Sequence, residues 1–189
     1  MMPTEGQPEN LQMKTKTLVI VALLALIVST THGATIHVDI ANCPGPGDGT
    51  VGDPYCSIQT AIDNAVDTDE IVVAPGTYFE TIDFVGKAIT LRSSDGPEVT
   101  TIDAQQMGSV VTCDSGEGPD TVLEGFTITG GNASQGGGMR NFQSSPTVTN
   151  CTFSGNVATI QGGGMHNSNS SSPTVTNCTF SRNQTAQAT

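Results

Sequence analysis

The sequence predicts an all-β fold, a right-handed parallel β-helix closed at its amino-terminal end by one short capping helix. Three observations predict it. A segment towards the carboxyl end is written twice, the apolar residues of each copy change parity at an asparagine, and a single short stretch carries helical spacing.

The first copy runs Gly136-Gly137-Gly138-Met139 and then Ser145–Asn156; the second runs Gly162-Gly163-Gly164-Met165 and then Ser172–Asn183. Cys151 and Cys178 stand 27 positions apart, and the glycine blocks are one residue closer. A weaker copy precedes them as Val122–Asn132. Periods of this size mark stacked architectures, in which no unit buries its apolar face alone. Alignment puts Leu123 with Val148 and Val175, Phe126 with Cys151 and Cys178, and Ile128 with Phe153 and Phe180. Cys151 and Phe153 share a strand face, whereas Val148 has the opposite parity, so all three point inward only if the chain turns between them. The turn falls on Gly125, Asn150 and Asn177, residue types that readily adopt a left-handed backbone. A coil of about three short strands per copy, each pairing in parallel with its counterpart in the next coil, satisfies the backbone. The rise per coil is about 4.8 Å. Like residues then form a structural ladder: Asn150 on Asn177, Cys151 on Cys178, Phe153 on Phe180, with both rings packed inward. The right hand follows from the handedness of parallel connections.

The elements ahead of the repeat follow in order. Met13-Lys14-Thr15-Lys16, the apolar run Thr17–Val28 and the small residues up to Gly33 read as a secretory signal, cleaved before Ala34. The run is shorter than the ~20 residues of a spanning helix, so no integral membrane span is expected in the mature chain. Residues 1–33 are therefore an amino-terminal extension and signal peptide, and 34–189 form one β-helix domain in an exported protein, secreted or held at the cell envelope or outer-membrane surface. Export makes Cys43 and Cys56, which flank a segment dense in Gly, Pro and Asp, a disulfide pair. Cys113, Cys151 and Cys178 read as reduced core residues. Ala34–Asp39 is a strand. Ser57 opens a helix whose Ile58, Ala61, Ile62 and Ala65 share one apolar face, while Asp67, Asp69 and Glu70 crowd its carboxyl end. Strands are expected at 71–73, 78–82, 88–91, 99–102 and 109–113, with a type II turn on Pro75-Gly76. Residues 71–183 make four or five coils. The polar tail Gln184–Thr189 does not cover an apolar end, which suggests a portion of a longer repeat protein.

The chain carries a formal charge of −12, and beyond the leader its only basic residues are Lys87, Arg92, Arg140 and Arg182. Nucleic acid and anionic lipid both demand clustered Lys and Arg, so no nucleic acid partner is expected.

The stretch Ser57–Ile82, with Ile58-Gln59, Ala61-Ile62 and Val73-Ala74-Pro75-Gly76-Thr77-Tyr78-Phe79-Glu80, resembles the amino-terminal part of pectin lyase-like right-handed β-helix proteins. Gly137-Gly138-Met139 with Phe153-Ser154-Gly155-Asn156, and Gly163-Gly164-Met165 with Phe180-Ser181-Arg182-Asn183, resemble polymorphic outer membrane protein repeats. The second resemblance implies surface display or adhesion.

Enzymes of the pectin lyase-like fold use acidic Ca²⁺ ligands with an Arg or Lys base, or paired carboxylates. The acids Asp83, Asp95, Asp103, Asp114, Asp120 and Glu124 are scattered over corners, and Lys87, Arg92 and Arg140 form no constellation with them. Coil connections look too short for cleft walls. No catalytic residue and no cofactor is assigned. Asp39, Asp48 and Asp53 are metal candidates, for Ca²⁺, on oxygen chemistry alone, and His37 and His166 read as solvated. The expected function is a non-catalytic surface module contacting an extracellular glycan or a host or cell-surface protein. The rival is a polysaccharide lyase or glycoside hydrolase.

Overall fold

The computed structural model describes residues 33–186, so the expected signal peptide up to His32 lies outside the described residues. Strand β1 (Thr35–Val38) leads through a 3-10 turn at Ile40–Asn42 to α1 (Ile58–Asn64). The next coil carries β2 (Glu70–Val73), β3 (Gly76–Tyr78) and β4 (Ile82–Asp83). Then come β5 (Thr90–Ser93), β6 (Thr100–Asp103) and β7 (Val111–Cys113). The weaker copy supplies β8 (Val122–Glu124), β9 (Thr127–Thr129), β10 (Asn132–Gln135) and β11 (Met139–Phe142). The first full copy supplies β12 (Thr147–Thr149), β13 (Thr152–Ser154), β14 (Val157–Gln161) and β15 (Met165–Ser168). The last rung holds β16 (Thr174–Thr176), β17 (Thr179–Ser181) and β18 (Gln184–Thr185).

Every strand pairs in parallel with its counterpart one coil away. Sheet A is six-stranded, β1-β2-β5-β8-β12-β16; sheet B is five-stranded, β17-β13-β9-β6-β3; sheet C is β15-β11-β7-β4; sheet D is β10-β14-β18. The molecule is a parallel β-solenoid, and its register sets Val148 on Leu123 and Val175, and Phe153 on Ile128 and Phe180. Leu123, Val148, Cys151 and Phe153 are all buried, as the parity change requires. The corner between sheets A and B is left-handed at Gly125 (φ 79°), Asn150 (φ 54°) and Asn177 (φ 55°).

The coils of the repeat contain four strands rather than three. The extra turn comes after Phe153, where Asn156 is fully buried. Its side-chain amide donates to Ile128 O and its oxygen accepts from Gly131 N–H, both at 2.9 Å. Asn183 does the same one coil on, donating to Phe153 O at 2.8 Å and accepting from Asn156 N–H. The Phe-x-x-Asn element is thus a ring that fills the core followed by an amide that bends the chain. A Cβ on Gly138 would meet Phe153 Cδ1 at 3.0 Å and Asn156 Nδ2 at 2.9 Å. The Gly164 carbonyl of the next rung stands closer still, so the neighbouring rung and the Phe153–Asn156 element together exclude a side chain at Gly138.

Helix α1 packs on β1, β2 and β4, and Ile58, Ala61 and Ile62 join the core beneath it. Ser57 caps it by accepting from Thr60 N–H at 3.2 Å. Glu80 adds a carboxylate at the same end, accepting from the Ile58 and Gln59 amides at 2.9 Å. At the other end the acids do not face the helix carbonyls: Asp69 accepts from the Ala34 and Val66 amides and Asp67 from Ala88 N–H. Lys87 occupies that position, its Nζ donating to Ile62 O at 2.6 Å and Asp63 O at 2.8 Å.

Other expectations also differ from the structure. The segment 78–82 is two strands joined by a corner, because Phe79 points to solvent and is 58% exposed. Gly76 opens β3, its N–H bonded to Val99 O at 2.9 Å, instead of completing a type II turn. Phe180 stacks on Phe153 with centroids 4.7 Å apart, yet it is 46% exposed and Val175 is 41% exposed. Among the described residues no rung covers their outer faces, and Cys178 is only half-buried for the same reason.

Candidate functional site

Sheets A and B meet at the corner on Gly125, Asn150 and Asn177, and an open groove of about 620 Å³ runs there across successive rungs. The connection between β5 and β6 forms its wall, with Pro97 and Glu98 standing over Thr127 and Thr152. The expectation that connections are too short for a wall fails here, because the residues between Ser93 and Thr100 leave the coil before pairing resumes. Ser93 Oγ ties this excursion down by donating to Gly125 O at 2.5 Å and accepting from Gly96 N–H at 3.0 Å.

The floor is a ladder. Asn150 Nδ2 donates to Glu124 Oε1 at 3.0 Å, and Asn177 Nδ2 donates to Asn150 Oδ1 at 2.6 Å. Beside it the outer face of sheet B carries one threonine per rung, since register pairs Thr77, Thr101, Thr127, Thr152 and Thr179 in turn. Thr127 Oγ1 donates to Pro97 O at 2.7 Å. The hydroxyls of Thr152 and Thr179 make no hydrogen bond within the described residues. The groove's cation is Arg92, whose Nε donates to Glu70 Oε1 at 2.6 Å; that carboxylate first, and Glu124 beyond it, hold the guanidinium charged. At about a third exposed, such a pair is worth little to stability. Chemically the groove offers amides, hydroxyls and carboxylates in periodic array, suited to hydrogen-bonding a ligand that itself repeats.

The other sequence candidates divide cleanly. Asp95 accepts from Ser94 Oγ and Asp103 from Gln105 N–H, each closing its own corner, and Asp120 is exposed. Lys87 is spent on α1. Asp83 and Arg140, however, lie in one column of sheet C, each paired with Thr112. Arg140 Nη1 donates to Asp114 at 2.8 Å and sits 5.7 Å over the Phe142 ring. Burial, then the charges of Asp114 and Glu117, push the Asp83 carboxyl above its ordinary value. His166 pairs with Arg140 on the next rung and His37 lies on β1 beside Val72.

The Ca²⁺ candidates are employed by their own loops. Asp39 accepts from Ala41 N–H, Asp48 from Thr50 N–H and Asp53 from Asn42 Nδ2. The Thr50 hydroxyl and amide hold the exposed Asp48 carboxyl below its ordinary value. Among the described residues no three His, Cys, Asp or Glu side chains gather as a metal site. Cys43 and Cys56 form a disulfide with Cα atoms 5.1 Å apart, and Cys113, Cys151 and Cys178 are free. Cys178 Sγ accepts from Cys151 N–H at 3.4 Å.

Sequence reading missed Glu98, Thr152 and Thr179 as site residues, although a threonine recurring one place after Asn150 and Cys151 was a visible signal. It also missed Glu117. That buried carboxylate accepts from Gly86 N–H at 2.7 Å, Ser115 N–H at 2.9 Å and Ser144 Oγ at 2.7 Å, tying three corners together. No local pattern marks it, because Gly86 and Ser144, two of its three partners, come from other coils.

In comparison with known proteins, the family described as the right-handed beta helix region matches residues 81–188. No curated protein and no solved structure matches the chain.

Proposed function

Taking as premise that the chain belongs to the right-handed β-helix family, we propose that it is an exported, non-catalytic module that contacts an extracellular glycan through the groove between sheets A and B. The observation that carries this reading is the groove's floor, where a threonine recurs on each rung and an asparagine amide on two successive rungs, beneath a wall raised by the β5–β6 connection. Export is supported by the leader-like sequence and by the Cys43–Cys56 bond, a linkage that persists in oxidising compartments. No metal is invoked, since the candidate carboxylates already serve their turns. Among the described residues no helix is long and apolar enough to cross a membrane.

The rival hydrolytic or lytic reading has one specific support, the Asp83, Asp114 and Arg140 cluster. A carboxyl pushed up by burial, in one column with an arginine that is bonded to a second carboxylate, is a grouping acid–base chemistry uses. Incubating the protein with neutral and anionic glycans, while following binding, reducing ends and unsaturated products, separates the two. Retention without product is expected. Turnover that disappears in Asp83→Asn or Arg140→Ala contradicts the non-catalytic reading.

A further inference from the structure

Resting on that glycan-contact reading, the geometry points to an uncharged, hydroxyl-rich polysaccharide laid along the solenoid axis, with one sugar unit per rung. The groove is periodic. The side chains of Glu124, Asn150 and Asn177 form one hydrogen-bonded ladder of the groove, with Gly125 in the asparagine's place on the Glu124 rung, and Thr127, Thr152 and Thr179 form the column beside it. Rungs repeat every ~4.8 Å, an advance comparable to one pyranose of an extended chain. A ligand running across the rungs meets a threonine at each step and an asparagine amide on the Asn150 and Asn177 rungs. One running along a strand meets them once.

The groove's charge is uneven. The groove's acids, Glu98 and Glu124, stand at its amino-terminal half with Arg92, and Arg92 is already bonded to Glu70. Glu124 is the last acidic residue of the chain, so the remaining floor is amide and hydroxyl. A polyuronate would bring its carboxylates against Glu98 and Glu124, where the one cation of the lining, Arg92, is already paired with Glu70. Neutral hydroxyls pair with both kinds of group: they donate to Asn177 Oδ1 and the carboxylates, and exchange bonds with Thr152 and Thr179.

The test is affinity electrophoresis and calorimetry of the full chain against hydroxyethylcellulose, glucomannan, arabinoxylan, polygalacturonate, alginate and chitosan. Binding to at least one neutral polymer, undiminished by high salt, is expected. Affinity for its oligosaccharides should rise with each added sugar and level off at about three units, one for each rung that carries Thr127, Thr152 or Thr179. The paired substitution Thr152→Val and Thr179→Val should weaken it about tenfold, the loss of two ordinary hydrogen bonds, with an unchanged melting curve as the check on folding. Converting Glu98→Gln and Glu124→Gln together should admit polygalacturonate. Equal or stronger, salt-sensitive binding of a charged polymer by the unaltered protein overturns the inference while leaving glycan contact standing. Affinity independent of length overturns it likewise. Binding to none of the six polymers overturns glycan contact itself and the inference with it.

Discussion

Asn150 and Asn156 sit six positions apart and do opposite things with the same amide. Asn150 accepts a left-handed backbone at the outer corner and shows its side chain to the groove; Asn156 turns inward and satisfies backbone groups in the core. Asn150→Gly should therefore retain most stability, whereas Asn150→Val should cost about 1–2 kcal/mol, because a branched side chain disfavours positive φ. Urea denaturation checks the pair, and equal stabilities would contradict the corner assignment. Position along the column also separates the two phenylalanines. Phe153→Ala should cost about 3–5 kcal/mol as a buried ring; Phe180→Ala should cost about 1–2 kcal/mol, because much of its area already meets water. The thiols differ in the same way. The Cys178 sulfur, and then burial, push Cys151 up, while the Cys151 thiol and amide draw Cys178 down to about 6. A group lowered in this way is a thiolate above that value and a thiol below it. Iodoacetamide at pH 7 should label Cys178 ahead of Cys113 and Cys151, with the rate falling as pH drops through about 6; preferential labelling of Cys113 would contradict the burial order.

At the scale of elements, α1 is too short to persist by propensity and is held from outside. Glu80 faces its amino end and Lys87 its carboxyl end, both supplied by a coil it covers. Replacing Lys87 with Met should lower stability by about 1 kcal/mol through loss of the charge at the helix carbonyls; an unchanged urea midpoint would contradict that role. The helix itself was legible from Ser57 and the spacing of Ile58, Ala61, Ile62 and Ala65, since cap and face are local. Lys87 was not, because it reaches α1 from 24 residues beyond Asp63. The strands around Asn150 were legible for a related reason: duplication prints long-range register in the sequence. Ahead of the duplication that aid is missing, so the corner at Phe79 and the wall at Ser94–Glu98 could not be read. The fourth strand of each repeat was hidden because β10 and β14 bury little, and their existence depends on the inward amide of Asn156.

Across the whole molecule, stacking explains both stability and the proposed activity. One column of buried side chains runs from α1 to Phe153, and the same register repeats Asn and Thr on the outside. The disulfide clamps the loop ahead of α1, closing a separation of 13 residues. Reducing it should remove roughly 3 kcal/mol without dispersing the groove, which lies on later coils; loss of glycan retention on reduction would show instead that the ends are coupled. The site was only partly legible because a groove is made by neighbours in space: Arg92 and Glu98 from one coil, Glu124 from the next, Asn150 and Asn177 from two more.

The claim beneath all of this is that the duplicated units are adjacent rungs. Nuclear Overhauser measurements on uniformly labelled protein address it directly. Contacts should link the Phe153 and Phe180 rings, and the Thr179 amide should lie within reach of the Cys151–Thr152 backbone, as its 2.9 Å bond to Cys151 O requires. Absence of those contacts, with the two rings assigned to separate environments, would contradict the stacked column and the periodic groove built on it.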